Sequence, residues 1–206
     1  MAPQRDDSPW FDDDLVSLEA QCWASLVRGK HKPREPFHWP TVSTHDPDWG
    51  ATSRTVVLRH VDTDTHTLHL HTDLRSDKIA HLRADPRHAW HFFDGKKVQL
   101  RARAVASIHH DDALADDAWS RLSPGSQRTY CSGGPGQRRD RPDTGLPEGW
   151  FDTQLTQDDV AHGREHFCVV AARVTALELL YLSRAGHRRA LFTYEGDSVA
   201  STWLVP

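Results

Sequence analysis

The chain has 206 residues, 26% of them charged, with a formal net charge of -4. That length suits one domain with a genuine core, and the negative balance excludes a nucleic-acid footprint from bulk charge. Cys22, Cys131 and Cys168 are odd in number, widely spaced and without a CxxC pair, which excludes a disulfide framework or structural zinc knot and points to a reducing cytoplasm.

The first residues, MAPQRDDSPWFDDD, are acidic and lack an apolar signal region, and no run approaches the roughly 18 apolar residues of a membrane span. A soluble, unprocessed chain is expected. Asp12 to Arg28 reads as a helix, with acidic residues at its positive end, Leu15, Leu18, Cys22 and Leu26 at helical spacing, and Gly29 as its stop. PFHWPTVST (36–44) and SRTVVLRHVD (53–62) read as two strands around the turn HDPDWGAT. After DTDT, the run HTLHLHT places Leu68 and Leu70 on one face of a strand and His69 and His71 on the other. Ser76 then suits the N-cap of a short helix, DKIAHLRAD, that ends at Pro86.

HAWHFFD and KVQLRARAVASIHH flank the Asp-Gly turn DGKK, a strong hairpin signal. An acidic helix, DDALADDAWSRL, follows. Residues 123–150 carry six glycines and four prolines with little periodicity and read as a long loop. TQDDVAHGREH reads as a further helix, FCVVAARVTALELLYL as one long or bent strand, and HRRALFTY with STWLVP as an antiparallel end. Short strands at close intervals with few helices predict a mainly β chain: a closed antiparallel barrel of about six strands with peripheral helices, one unit over 1–206.

Three groups of residues could carry chemistry. His69 and His71 share a strand face, but no Cys or carboxylate stands at an evident third position and HExxH is absent, so no metal site is expected. In SRTVVLR, Arg54, Val56 and Leu58 project to one side while Thr55, Val57 and Arg59 project to the other. In TDLRSDK, Thr72, Arg75, Ser76 and Lys78 set hydroxyls and cations around a helix start, where free N–H groups and the dipole favour a phosphate. A capped helix with a solvated charge cluster fits the same residues. The basic GQRRDR, Gly136 to Arg141, sits among Asp-rich segments and makes a poor nucleic-acid contact.

In order along the chain, SRTVVLR, LHLHTDLRSDK, LRADPRHAWHFF, VQLRARA and LELLYLSRAGHRRALF resemble the pyridoxamine 5'-phosphate oxidase family of FMN-binding split barrels, over about residues 37–206. The resemblance implies an antiparallel split β-barrel and a homodimer with FMN at the subunit interface. It also implies an FMN-dependent oxidoreductase that passes hydride between a small-molecule substrate and the flavin. By the same resemblance Arg54, Thr55, Val56, Val57, Leu58 and Arg59 line the flavin, and His71 and Thr72 lie against it. Lys78 helps hold the phosphate, for which the turn also positions Ser76, with Arg75 close by. Gln99 reaches the ring system, and Arg189 completes the site from the second subunit. Arg59, Ser126 and His187 are the residues that carry over for substrate. No protein nucleophile is required, and no catalytic residue is assigned.

The chain departs from the true oxidases at several positions. Asp77 stands where they carry a phosphate-binding arginine, which raises the question of whether Arg75 compensates. Leu180 replaces a tryptophan, and GHRRA replaces their terminal R-x-H-x-R. With its Pro135-Gly136 segment the chain more closely resembles the family's uncharacterised FMN-binding branch. Pyridoxamine or pyridoxine 5'-phosphate oxidation proper is one alternative, and a non-catalytic flavin-binding or sensing module is another.

Overall fold

The computed structural model describes residues 8–196 and 198–206; the first seven residues of the acidic opening lie outside them. Helix α1 (Leu15–His31) starts at Asp14, whose carboxylate accepts the Val16 N–H at 3.1 Å, and buries Leu18, Cys22, Trp23 and Leu26. It runs past Gly29, its expected stop. The glycine serves packing instead: a Cβ there would lie 2.9 Å from the backbone carbon of Phe37, and Gly29 O meets His38 Nδ1 at 2.8 Å. That contact fixes residues Pro36–His38 as a 3₁₀ turn, so the expected strand over 36–44 is only its second half, β1 (Thr41–Asp46).

The expected strand 53–62 is also two pieces, β2 (Gly50–Thr55) and β3 (His60–Asp62). Between them the backbone bonds in two directions: the Val56 and Leu58 N–H groups donate to Pro40 O and His38 O, whereas the Arg59 N–H donates to His69 O. There follow β4 (Thr67–Asp73), α2 (Asp77–Ala84), β5 (Arg87–Phe93) and β6 (Val98–His109). At the β5–β6 turn Gly95 has φ +76°, and the Asp94 carboxylate accepts the N–H groups of Lys96, Lys97 and Val98 at 2.8–2.9 Å.

After α3 (Ala113–Ser120), the presumed loop opens with structure: α4 (Pro124–Gln127), capped by Ser123, and a 3₁₀ turn at Arg128–Cys131. Proline at the first turn and a serine cap suffice for this, although the short period escapes a helical pattern. α5 (Gln157–Val160), with a Thr156–Asp159 capping box, runs into a 3₁₀ turn, Ala161–His166. β7 (Phe167–Tyr181), β8 (Arg188–Glu195) and β9 (Ser198–Trp203) complete the fold.

The architecture is mainly antiparallel sheet with peripheral helices. Among the described residues nine strands, more than the six or so expected, form one sheet in the order β2-β1-β5-β6-β7-β4-β3, with β8 on β7 and β9 on β8. The ladder is not closed, in contrast to the expected closed barrel. The cause lies in β7. Its first half, Phe167–Arg173, pairs with β4, and its second half, Ala176–Tyr181, pairs with β8, while β6 follows its other edge throughout. The β6–β7 register shifts beside Arg103, and at the extra residue the Thr175 hydroxyl donates to Arg103 O at 3.2 Å. The sheet therefore splits at Thr175. The main core gathers Leu58, Leu68, Leu70, Ile79, Trp90, Phe92 and Leu100 with α1, and a smaller cluster joins Ala115, Tyr130, Phe167 and Val169. Trp90 is buried, whereas Trp39 and Trp49 are exposed. No helix among the described residues is long and apolar enough to cross a membrane.

Candidate functional site

The turn from β4 into α2 brings Thr72, Ser76 and Lys78 together. Lys78 Nζ donates to Thr72 Oγ1 at 2.9 Å and to Ser76 Oγ at 3.1 Å. Ser76 stands at the N-cap as expected, yet its hydroxyl does not cap the helix: it donates back to Asp73 O at 2.7 Å. The first N–H groups of α2 are thus left without a side-chain cap, beside a lysine.

Arg54 joins this group from β2. The β1–β2 register sets Arg54 opposite Val42 and Thr44 opposite Thr52, so Arg54 reaches diagonally across the ladder. Its Nη1 donates to Thr44 Oγ1 at 2.7 Å and its Nη2 to Thr52 Oγ1 at 3.0 Å. Among the described residues neither Arg54 nor Lys78 forms an ion pair. Burial, and after it the charge of Arg54, holds Lys78 below the usual lysine range; burial also lowers Arg54. Asp77 lies near enough to offset both in part. Two half-buried cations side by side, resting on hydroxyls at an uncapped helix start, suit a dianionic phosphate.

Arg75 is committed elsewhere. It grips Asp73 through Nε at 3.0 Å and Nη2 at 2.7 Å, and Nη2 also donates to Ser132 O at 3.0 Å. A Cβ on Gly134 would lie 3.5 Å from its guanidinium carbon. Arg75 thus ties the glycine-rich segment to the turn, and its charge is answered by Asp73.

The other expected residues divide into two groups. Thr55 and Arg59 are exposed, Val56 and Val57 half-buried, and the Leu58 side chain is fully buried in the core, which leaves only its backbone for a ligand. His71 and Thr72, neighbours on β4, face opposite ways: Thr72 inward to Lys78, His71 outward against Phe167 with ring centroids 5.0 Å apart. His71 Nδ1 is buried with no partner, and burial, then the charge of Arg59, pushes its pKa down to about 3. Ser126 is exposed on α4 beside Ser123, four residues before the buried Tyr130. Among the described residues no three His, Cys, Asp or Glu side chains gather for a metal.

Gln99 and Arg189 sit in a different place. Both register with Leu180 on β7, whereas His71 registers with Val169. Those β7 positions are eleven residues apart, at most about 36 Å along a strand of ~3.3 Å per residue and less across the bulge at Thr175. Arg189 Nε donates to Glu178 Oε1 at 2.8 Å, Arg101 pairs with the same carboxylate, and Gln99 Oε1 meets His91 Nε2 at 3.3 Å. His187 is exposed, and its Nδ1 accepts the Ser183 N–H at 3.1 Å. One chain therefore does not gather all the expected residues around one ligand.

Sequence reasoning missed Thr44 and Thr52, which accept from Arg54, and His81, which meets Thr44 at 3.1 Å. The signal was present in β1, where Thr44 follows Val42 on the inward face, and in α2, where His81 stands one turn after Lys78.

Residues 20–110 match the family model described as pyridoxamine 5'-phosphate oxidase, FMN-binding domain. Similar folds occur in a pyridoxamine 5'-phosphate oxidase-related, FMN-binding protein from Nostoc punctiforme (TM-score 0.69, 17% identity, covering 98% of this chain and 100% of that one). PhzG from Burkholderia lata, solved with tetrahydrophenazine-1-carboxylic acid, is alike to the same degree (TM-score 0.69, 15% identity, 97% of each chain). A comparison with curated protein sequences found no match.

Proposed function

We propose that this chain, related to the pyridoxamine 5'-phosphate oxidase FMN-binding domain family over residues 20–110, is a homodimeric FMN-dependent oxidoreductase acting on a small molecule. The observation that carries the reading is the pair of unpaired, half-buried cations, Arg54 and Lys78, set on hydroxyls at the uncapped start of α2. Arg54, Thr72, Ser76 and Lys78 would hold the phosphate. Thr55, Val56, Val57, Arg59 and His71 would border the rest of the flavin, with the unpartnered His71 Nδ1 as one polar contact. Arg75 contributes indirectly, by fixing the segment after Tyr130.

Gln99 and Arg189 would reach the flavin of a second copy, because they register with β7 eleven residues beyond the partner of His71 within one chain. The outer face of β5, β6, β7 and β8 offers the surface for that copy: a depression of ≈150 Å³ there is bounded by Ala89, Arg103, Ala176, Glu178 and Leu191. Bound FMN supplies the hydride chemistry. The chain's own part is to neutralise the phosphate, orient the ring and admit substrate beside Arg59, Ser126 and the partner's His187.

The test is to purify the protein, record its flavin absorbance, and follow bleaching under NADH and NADPH without oxygen. Bleaching at a useful rate supports the enzyme; a bound flavin that neither nucleotide nor a substrate panel reduces supports a binding module. Peroxide release with pyridoxamine or pyridoxine 5'-phosphate would single out the oxidase proper, and its absence would exclude that version.

A further inference from the structure

We propose that Asp46, His81 and Thr44 form a relay that positions Arg54 toward the phosphate without neutralising it. The proposal rests on the phosphate reading of Arg54 and Lys78, and adds three residues to it. The chain of contacts crosses three elements. Arg54 Nη1 on β2 donates to Thr44 Oγ1 on β1 at 2.7 Å, Thr44 Oγ1 lies 3.1 Å from His81 Nδ1 on α2, and His81 Nε2 lies 3.2 Å from Asp46 Oδ2 at the end of β1. Thr44 is 3% and His81 8% exposed, so the Thr44–His81 contact lies out of water, while the Asp46 carboxylate is partly exposed.

Proton counting gives the relay one direction. Guanidinium only donates, so Thr44 Oγ1 accepts from Arg54 and must place its single hydrogen elsewhere. The nearer acceptor is His81 Nδ1 at 3.1 Å; Thr52 Oγ1 is at 3.4 Å. With Nδ1 accepting, the ring proton sits on Nε2 and faces Asp46. The Asp46 carboxylate is itself fixed, since Oδ1 accepts the N–H groups of Asp48 at 2.8 Å and Trp49 at 3.1 Å.

The length of the relay matters. A carboxylate in direct contact with Arg54 would satisfy its charge and compete with a phosphate. With Thr44 and His81 standing between Asp46 and Arg54, the guanidinium is oriented without a carboxylate in contact with it, and its charge is left available. Among the described residues Arg54 Nε has no acceptor at all.

The experiment compares FMN and riboflavin affinities in the full-length protein carrying Thr44→Val, which keeps the shape and removes the hydroxyl, and Thr44→Ser, which restores it. Thr44→Val is expected to weaken FMN about tenfold with riboflavin unchanged, and Thr44→Ser to recover most of the loss. Equal FMN binding by Thr44→Val, or equal weakening of both flavins, would overturn the relay. Should Thr44→Val not fold, ¹⁵N imidazole spectra of the wild-type protein decide: His81 as the Nε2–H tautomer supports the relay, and the Nδ1–H tautomer refutes it. Failure of the wild-type protein to prefer FMN over riboflavin would instead sink the phosphate reading.

Discussion

Replacing Lys78 by Met should have opposite signs in the flavin-free and flavin-bound protein. In the free protein Lys78 Nζ has, among the described residues, only the Thr72 and Ser76 hydroxyls as hydrogen-bond partners and sits near Arg54, so removing its charge relieves desolvation and repulsion. Stability without FMN should hold or rise. With FMN, the variant forfeits a charge-assisted bond to phosphate of about 1.5–3 kcal/mol, roughly a tenfold to 150-fold loss of affinity. Riboflavin, which lacks the phosphate, should bind both proteins alike. The free protein carries a pH signature as well. Folding lowers the lysine's pKa, so between that lowered value and 10.5 the unfolded chain binds more protons. Stability should therefore rise with pH in that window, and Lys78→Met should flatten the rise. Fluorescence titration with each flavin and thermal unfolding of the flavin-free protein measure all of this. A variant that binds FMN normally, or whose flavin-free form is clearly destabilised, would show that Lys78 is a structural residue and refute the reasoning.

Gly29→Ala should destabilise by about 1–3 kcal/mol by urea unfolding, despite alanine's better helix propensity, because its Cβ would meet Phe37 backbone at 2.9 Å. His71→Phe should lose less stability on acidification: the buried imidazole stays neutral down to about 3 while the unfolded one protonates below 6.5, so wild-type stability drains across that interval. An unchanged acid limb in pH-dependent thermal unfolding would count against the burial of His71. Leu191→Asp, which puts a charge on the outer sheet face, should give monomers by sedimentation and weaken FMN binding; monomeric wild-type protein would contradict the two-copy site. Arg189→Ala should weaken FMN while leaving the dimer intact, as titration and sedimentation together can tell.

Much of the sheet was legible because period-two patterning and the Asp94-Gly95 turn are local signals. The misreadings were of another kind. Gly29 looked like a helix stop, but its role is set by a turn seven residues later that packs on it. SRTVVLRHVD has the composition of one strand, yet its backbone must serve β1 on one side and β4 on the other, and only the tertiary path breaks it. The split itself depends on one extra residue, Thr175, within a run whose hydrophobic pattern shows no interruption.

The grouping of Thr72, Ser76 and Lys78 was legible because this cation and these hydroxyls are close in sequence, in TDLRSDK. It was misleading at Arg75, because a neighbouring arginine looks interchangeable with a phosphate ligand until Asp73 and the Ser132 carbonyl claim it. Thr44 and His81 left only a local signal on their own elements, since the meeting of Thr44 with Arg54 and of His81 with Thr44 depends on strand register and on how α2 lies against β1.

The central claim is a phosphate-gripping flavin site, and equilibrium titration of flavin-stripped protein with FMN and with riboflavin tests it most directly. The expected result is one FMN per chain, bound at least tenfold more tightly than riboflavin. Equal affinity for the two, or no saturable binding of FMN, would contradict it.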